Sequence, residues 1–301
     1  MSLVQLFHNP GAGDEEHSKE NLMRTIEAQG FDCRYSSTKK RGWEKLDAEA
    51  DFIVLAGGDG TVRKVASELL NRKLLEKKYP IALLPLGTAN NVARTLGLNG
   101  TAEKLSESWW KAETKSFDIG ILHGLDEPGF FLESFGYGLF PKLMKEMKKR
   151  QDELEDEDLS PEEELQLVLE ILHDLVHKYE PKSFKLEIDG VDHSGEYLLV
   201  EIMNTRSIGP NLELAPAADP GDGYFDVVII TEKQRASLLD YLRKKRKGSK
   251  TPFACPTHKA KKVIVASDGL RAHMDDEYLK LKKSQEVKIE IQKGVLDFII
   301  P

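Results

Sequence analysis

Short apolar runs alternate with longer amphipathic ones through the first third of the chain. LVQLF, FIVLA and IALLPL read as strands, and between them HSKENLMRTIEAQG and VRKVASELLNRKLLEKK carry apolar residues at helical spacing. Strands alternating with helical stretches predict a parallel sheet with crossover helices. After about Asp118 the period changes. FKLEI, GEYLLVEIMN, YFDVVII, KKVIVAS, EVKIEIQ and VLDFII are short strands separated by DG, PGDG and KG turns, the pattern of a mostly β domain. Between the two, KEMKKRQDELEDEDLSPEEELQLVLEILHDLVHKYEP opens as a charged tract and then shows a capped start at Ser160-Pro161 with a Leu/Ile/Val stripe, which predicts one long helix. The expected organisation is a Rossmann-like parallel α/β domain over residues 1–120 and a β-rich domain over 121–292, with a helical acidic insertion near 145–180.

A chain of 301 residues is long enough for two cores. Its 43 Lys and Arg against 51 Asp and Glu leave a net charge of −8, which argues against a nucleic-acid binder, since such a protein needs a basic face. No apolar run approaches the roughly 18 to 20 residues of a membrane span. The opening MSLVQLFHNPGAG lacks the charged start and apolar core of a secretory signal, so a cytoplasmic location is expected. Cys33 and Cys255 are the only cysteines and read as ordinary thiols.

Each strand of the first domain runs into a small, polar loop: LVQLF into HNPGAG, FIVLA into GGDGT, IALLPL into GTANN. Ligands of open parallel sheets bind beyond the carboxyl ends of the strands, so these loops are expected to face one crevice. Gly57, Gly58 and Gly60 are expected to take backbone angles closed to other residues and to let a ligand reach the amides. A helix starting near Val62 would add its free amides and positive end, which suits phosphate, with Thr61 as cap or hydroxyl donor. GGDGT also has a plain reading as a strand-to-helix turn. No GxxxxGK[ST] is present, and GDGTVR and GAGDEE both fail the GxGxxG pattern at the last glycine.

GGDGT leading into a helix, followed by PLGTANNVARTLG, resembles the diacylglycerol kinase catalytic family, which includes bacterial lipid kinases, sphingosine kinases and, more remotely, NAD kinases. The likeness continues in NPxxG at Asn9, Pro10 and Gly13, in FDIG at Asp118 and in the apolar FFLESFGYG. It extends through NTRSIGPNLELAPAADPGDGYFDVVI, with Asn204, Pro216, Asp222 and Gly223 at family positions, to HMDDE in place of DGE. The resemblance implies an α/β domain and a β-sandwich domain around an interdomain cleft, with residues 293–301 returning to the first domain. It implies ATP and Mg as cofactors, and transfer of phosphate to a lipid hydroxyl. Asn9, Pro10, Gly13, Thr38, Gly57, Gly58, Gly60, Thr61, Gly87, Thr88 and Asn90 would line the nucleotide site. Glu277, Asp59 and Asp118 would form the catalytic set. Glu277 would accept the proton, and Asp59 would meet Mg or the attacking hydroxyl. A second, structural Mg would sit on Asp222 with the carbonyls of Asp219 and Tyr224, where PGDG also reads as a plain turn.

Two positions depart from the family. Asn91 stands where many relatives carry Asp, and Asp276 replaces the glycine of DGE. Asn91 also reads as a helix N-cap. These departures keep a weakly active nucleotide-binding regulator open as one alternative. NAD kinase is the other, although an Asn-Glu pair after the GT loop is missing. The expected partners are ATP and a lipid met at the inner membrane surface, with a homodimer left open. The basic run from Arg243 reads as a solvated loop or a lipid contact. Of Trp109 and Trp110, one is expected in the core. His8 and His273 read as packing or surface residues.

Overall fold

A computed structural model of the chain describes residues 2–13, 17–71, 77–153 and 160–301. It divides into two compact units, Met1–Asp118 with Lys293–Pro301, and Ile119–Gln292. The acidic tract around 154–159 and the end of the second helical pattern, 72–76, lie outside the described residues.

Unit 1 begins with β1 (Leu3–His8), α1 (Lys19–Ala28), β2 (Asp32–Ser37), β3 (Phe52–Gly57), α2 (Asp59–Leu70) and β4 (Ile81–Pro85). It continues with α3 (Asn91–Thr95), α4 (Ala102–Ser108) and the start of β5 (Glu113–His123). Ser18 starts α1 as N-cap, its Oγ accepting from the amide of Asn21 at 3.4 Å. β3 is buried at every position and β4 at all but its last, as expected of parallel strands covered on both faces. The sheet runs β4–β3–β1–β2 with every pairing parallel, and Phe298 of the chain's last strand pairs in parallel with Ile81. All these strands therefore end on one edge. β2, DCRYSS, is not visible in the apolar pattern because it is a polar strand at the end of the order. The crossovers diverge between β1 and β3, the switch point at which such sheets bind ligands.

Unit 2 contains β6 (Gly129–Phe131), β7 (Ser134–Gly138), α5 (Leu139–Glu153), α6 (Pro161–Lys178), β8 (Lys182–Ile188), β9 (Val191–Asp192), β10 (Gly195–Tyr197) and β11 (Leu199–Met203). β12 (Ser207–Ile208), β13 (Leu212–Glu213), β14 (Phe225–Ile230), α7 (Arg235–Arg246), β15 (Thr257–Ala260) and β16 (Lys262–Ser267) follow. β17 (Arg271–Met274), β18 (Glu277–Lys280) and β19 (Val287–Ile300) complete the chain. One antiparallel sheet is ordered β15–β14–β11–β7–β17–β18, and β10–β8–β16–β19 forms the other layer. Phe131, Phe135, Phe184, Val200, Ile202 and Val265 fill the space between them, making a β-sandwich. The alternate residues Leu199 and Met203 turn to the opposite face, where they meet Phe140, Leu143, Leu172 and Leu242 of the helices.

Several expectations change. The insertion is two helices rather than one, because the charged opening is itself helical from Leu139; α6 starts with a capping box between Ser160 and Glu163. GEYLLVEIMN is split at Leu198, with β10 pairing β8 and β11 pairing β7 and β14. EVKIEIQ and VLDFII form the single strand β19. Arg243 to Arg246 close the last turn of α7 instead of forming a loop, and Arg243 and Lys244 pair with Asp240 at 2.8 and 2.7 Å. Neither tryptophan is in the core: Trp109 is half-buried, and Trp110 is exposed and stacks on Phe31 at 4.4 Å. Among the described residues no helix is long and apolar enough to cross a membrane.

Candidate functional site

The strand ends of unit 1 are stitched together beyond the sheet. The amide of Asn9 donates to the carbonyl of Ala56 at 3.0 Å, that of Thr38 to His8 at 2.9 Å, and that of Leu86 to Gly57 at 3.1 Å. Asn9, Thr38, the GGDGT loop and the GTANN loop therefore stand side by side in the order of the strands. Pro10, Gly13 and Thr88 are exposed, whereas Thr38 and Thr61 are buried.

The glycines act differently from the expectation. None of Gly57, Gly58 and Gly60 has a positive φ; among the glycines of these loops Gly13 does, at +83°. Gly58 caps α2 in an extended conformation, φ −91°, so the helix starts at Asp59 and not near Val62. What the glycines permit is close approach between loops. A Cβ on Gly87 would stand 2.5 Å from the Cα of Gly58, and one on Gly58 would stand 3.1 Å from the Cα of Gly87. Gly57 is closed over by Thr61, whose Cβ would be 2.7 Å from an added methyl.

Asp59 completes this joint. Its Oδ2 accepts the amide of Asn91 at 2.8 Å and its Oδ1 that of Val92 at 3.1 Å. The acid of one loop thus caps the helix of the next, satisfying two of its first amides. Asn90, not Asn91, is the N-cap position of α3, at φ +52°, and its Oδ1 accepts the amide of Gly87 at 3.0 Å. Asn91 is buried within the first turn.

Two lysines absent from the sequence-based site belong to it. The Lys39 ammonium fills the position that a side chain on Gly11 would take, placing a positive charge on the NPGAG loop. Lys64 donates to the carbonyl of Thr38 at 2.6 Å. Lys39 follows Thr38 in a run of basic residues, and the only signal for it was that adjacency. His8 lies beneath, its Nδ1 3.1 Å from the hydroxyl of Tyr35; burial, with His17 adding to it, lowers its pKa and keeps it neutral. Burial pushes Cys33 up to about 12 and Cys255 up to about 11, so both remain thiols at neutral pH.

Asp118 is 2 % exposed, and its Oδ1 accepts the amide of Gly294 at 2.7 Å. It holds the returning end of β19 within unit 1, where Ser116 also donates to Asp297 at 3.0 Å.

In unit 2 the acidic turn is anchored on one bend of backbone. The Asp275 carboxylate accepts the amides of Leu132, Glu133 and Ser134 at 3.0, 2.8 and 3.1 Å, and its own amide donates to Ser134 at 2.9 Å. Asn204 grips the same bend, Nδ2 donating to the carbonyl of Leu132 at 2.9 Å and the amide to Glu133 at 2.8 Å. Asp275 takes the left-handed conformation, φ +52°, and Glu277 follows as the first residue of β18, exposed. Asp276 needs no glycine, since its φ is not positive.

The 219–224 loop is a tight turn. Asp222 donates its amide to the carbonyl of Asp219 at 3.1 Å and accepts the amide of Tyr224 on Oδ1 at 2.8 Å. Its Oδ2 meets the ammonium of Lys259 at 2.7 Å, and that lysine also meets Asp226 at 2.9 Å. The oxygen donors suit Mg, but a metal here would compete with Lys259 for Asp222. Among the described residues no three His, Cys, Asp or Glu side chains gather as a metal site.

Residues 4–122 match the model of the diacylglycerol kinase catalytic domain, and residues 149–298 that of the YegS C-terminal NAD kinase beta sandwich-like domain. The chain belongs to the diacylglycerol kinase family, a family of lipid kinases. It is similar to a diacylglycerol kinase of Bacillus subtilis strain 168, 24% identical over 97% of this chain and 87% of the relative. A diacylglycerol kinase of Staphylococcus aureus strain bovine RF122 / ET3-1 is 23% identical over 91% and 86%. In fold it is similar to the crystal structure of a diacylglycerol kinase from Bacillus anthracis strain Sterne, TM-score 0.73 at 21% identity, over 100% of this chain and 97% of the other.

Proposed function

We propose that the chain is an ATP-dependent lipid kinase that moves the γ-phosphate onto a lipid hydroxyl such as that of diacylglycerol, working from the aqueous side of a membrane surface. The observation that carries this reading is the joined edge of unit 1, where Asp59 and the Gly58–Gly87 approach lock two loops beside Asn9 and Thr38. Such an edge holds phosphates by loop amides and the positive end of α2, the first amides of α3 being taken by Asp59. The exposed Lys39 adds charge at the NPGAG loop.

Unit 1 is read as holding the donor: Asn9, Pro10, Gly13, Thr38, Gly57, Gly58, Gly60, Thr61, Gly87, Thr88 and Asn90 are the proposed nucleotide contacts. Unit 2 supplies the acceptor side. The lipid hydroxyl oxygen forms a bond to the γ-phosphorus as the bond from that phosphorus to the β,γ-bridging oxygen breaks and ADP leaves. The proton of the hydroxyl passes to the Glu277 carboxylate and then to water. Mg bound with ATP supplies charge neutralisation on the phosphates. Asp59 orients the loops on which the phosphates rest, and Asp118 keeps the returning strand in register.

The test is transfer of labelled phosphate from ATP to a panel of diacylglycerol, a sphingoid base, phosphatidylglycerol and NAD. Label on a lipid is the expected result. Label on NAD would establish the alternative kinase, and ATP binding without transfer to any acceptor would leave the regulator reading.

A further inference from the structure

A buried ion pair in unit 2 lies outside every role given so far. Glu201 of β11 is 0 % exposed and His273 of β17 is 1 % exposed, and Oε1 of the first is 2.8 Å from Nε2 of the second. They sit on strands that are not neighbours. β7 runs between them, and in the register of the sheet both residues stand opposite Gly136. A Cβ on Gly136 would run into both carboxylate oxygens of Glu201. The missing side chain is what lets the pair meet across an intervening strand.

The proton inventory of the pair follows from its contacts. His273 Nδ1 lies 3.0 Å from the carbonyl oxygen of Asp275, and a carbonyl only accepts, so Nδ1 carries a proton. Nε2 stands 2.8 Å from a carboxylate oxygen without the alignment of a hydrogen bond, so the two groups meet as an ion pair when Nε2 also carries a proton. In that form the pair carries no net charge. Burial pulls His273 down, but the charge and hydrogen bond of Glu201, with the Asp275 carbonyl, outweigh it and the net shift is upward. The neighbours on this face, Leu199, Met203, Val228 and the ring of Phe140, are apolar. A buried ion pair in such surroundings is weak as a source of stability, because well-packed apolar residues serve as well or better. The pair's link to the rest of the molecule through His273 Nδ1 runs to the carbonyl of Asp275.

That carbonyl belongs to the turn that leads to Glu277. We propose that Glu201 and His273 are positioning residues, a side-chain strut that fixes the Asp275–Glu277 turn from beneath while the Leu132–Ser134 bend holds it by its carboxylate. The turn is then clamped at the carboxylate, amide and carbonyl of one residue in a left-handed conformation, and the direction of Glu277 is set by the sheet rather than by the loop. The catalytic consequence rests on the kinase reading; the strut itself does not.

The experiment uses the full chain with Glu201→Met and His273→Leu combined, which replaces the pair by apolar groups of similar size. The melting temperature is expected to stay level or rise. Amide exchange of peptides covering Leu132 to Ser134 and Asp275 should quicken about tenfold or more. Phosphate transfer to diacylglycerol should lose on the order of 10- to 10²-fold in kcat, as small misplacements do, with the KM for ATP unchanged. A stable double variant with unchanged exchange would overturn the strut. Faster exchange with unchanged kcat in a protein active as wild type would overturn its catalytic half. Glu201→Gln covers the event that the double variant does not fold. Its amide donates to Nε2 of a neutral His273, so exchange should stay slow, while the ¹⁵N spectrum of labelled histidine should change from two protonated ring nitrogens to one at Nδ1. A wild-type spectrum lacking the Nδ1 proton would overturn the inference whether or not any lipid is phosphorylated.

Discussion

Both units anchor an acid on backbone amides, but each adds a different second support. In unit 1 Asp59 is part of a backbone joint, bonded to the amides of Asn91 and Val92 beside glycines that touch. In unit 2 the turn before Glu277 is held by the Asp275 carboxylate on the amides of the bend after β6 and by the His273 imidazole of β17, backed by Glu201 of β11, on the Asp275 carbonyl. A backbone-built site is intolerant of added atoms, since there is nowhere for a Cβ to go. A site built from side chains tolerates volume but not the loss of a particular polar atom. Substitutions in the two units should therefore fail differently.

The largest effect is expected at Glu277. Replacing it with Gln removes the proposed proton acceptor and should lower transfer on the order of 10²- to 10⁴-fold while ATP still raises the melting temperature. If Glu277→Gln worked at full rate, the acceptor role would belong elsewhere. The counterpart in unit 1 is Gly87→Val. Its Cβ would lie 2.5 Å from the Cα of Gly58, so the loops must part. At an ATP concentration about 100 times Kd, the ligand contributes about 2.7 kcal/mol to wild type, and that gain should vanish in the variant. A thermal shift that survives Gly87→Val would place the nucleotide elsewhere.

Third in size is Asp275→Ala. It leaves the amides of Leu132, Glu133 and Ser134 without their acceptor, a loss of about 1–3 kcal/mol in unfolding free energy, read from the shift of the denaturation midpoint. The parallel substitution Asp118→Ala in unit 1 takes the acceptor from the amide of Gly294, and should cost less. If both variants lost the same stability, the multiple anchoring of Asp275 would count for nothing.

How much of this was legible in the sequence follows the same division. The strand-end loops of unit 1 could be read because glycine, asparagine and proline punctuate the chain where strands stop, and because β3 and β4 are unbroken apolar runs. What the letters concealed is that Gly58 and Gly87 serve each other: a glycine does not say what approaches it. β2 stayed hidden because an edge strand needs no apolar run. In unit 2 the strands FKLEI and YFDVVII were plain, yet Glu201 was not singled out, since a charged residue inside GEYLLVEIMN looks like the solvent face of an alternating strand. The only hint was Gly136 in FFLESFGYG, and its meaning depends on the register of three strands. HMDDE showed its acids while hiding that His273 is buried beneath them. That register comes from long-range pairing, which no local pattern specifies.

A fourth prediction uses pH. The folded pKa of His273 lies above its ordinary value of 6.5, so the native state binds this proton more tightly than the unfolded chain does. The stabilisation is complete below pH 6.5 and is lost as pH rises through the folded value. The groups facing the imidazole are Glu201 from β11, the Asp275 carbonyl and carboxylate from the turn, the Phe140 ring from α5 and Tyr278 opposite it on β18. The difference in unfolding free energy between wild type and His273→Gln should thus shrink as pH is raised from 6 upward. A gap that widens with pH would mean that His273 is buried neutral.

The smallest effect is expected at Asp276, where the two ways of placing an acid can be told apart most finely. If the turn were shaped by its own backbone, as the joint in unit 1 is, restoring the family's glycine would change its conformation and with it the rate. The structure argues otherwise. Asp275 holds the left-handed position, φ +52°, while Asp276 has no positive φ and is exposed, so glycine offers no conformation that the turn requires. Asp276→Gly should lower stability by about 0.5–1 kcal/mol through the added freedom of the unfolded chain. Phosphate transfer should stay equal to wild type or rise modestly, because an acid beside Glu277 is removed while the clamps on Asp275 remain. A rise of more than about tenfold would show that Asp276 holds the turn away from its working position. A fall in kcat at unchanged KM would show that the third carboxylate takes part in the reaction. Either result would shift the control of Glu277 from the strands beneath the turn to the turn itself.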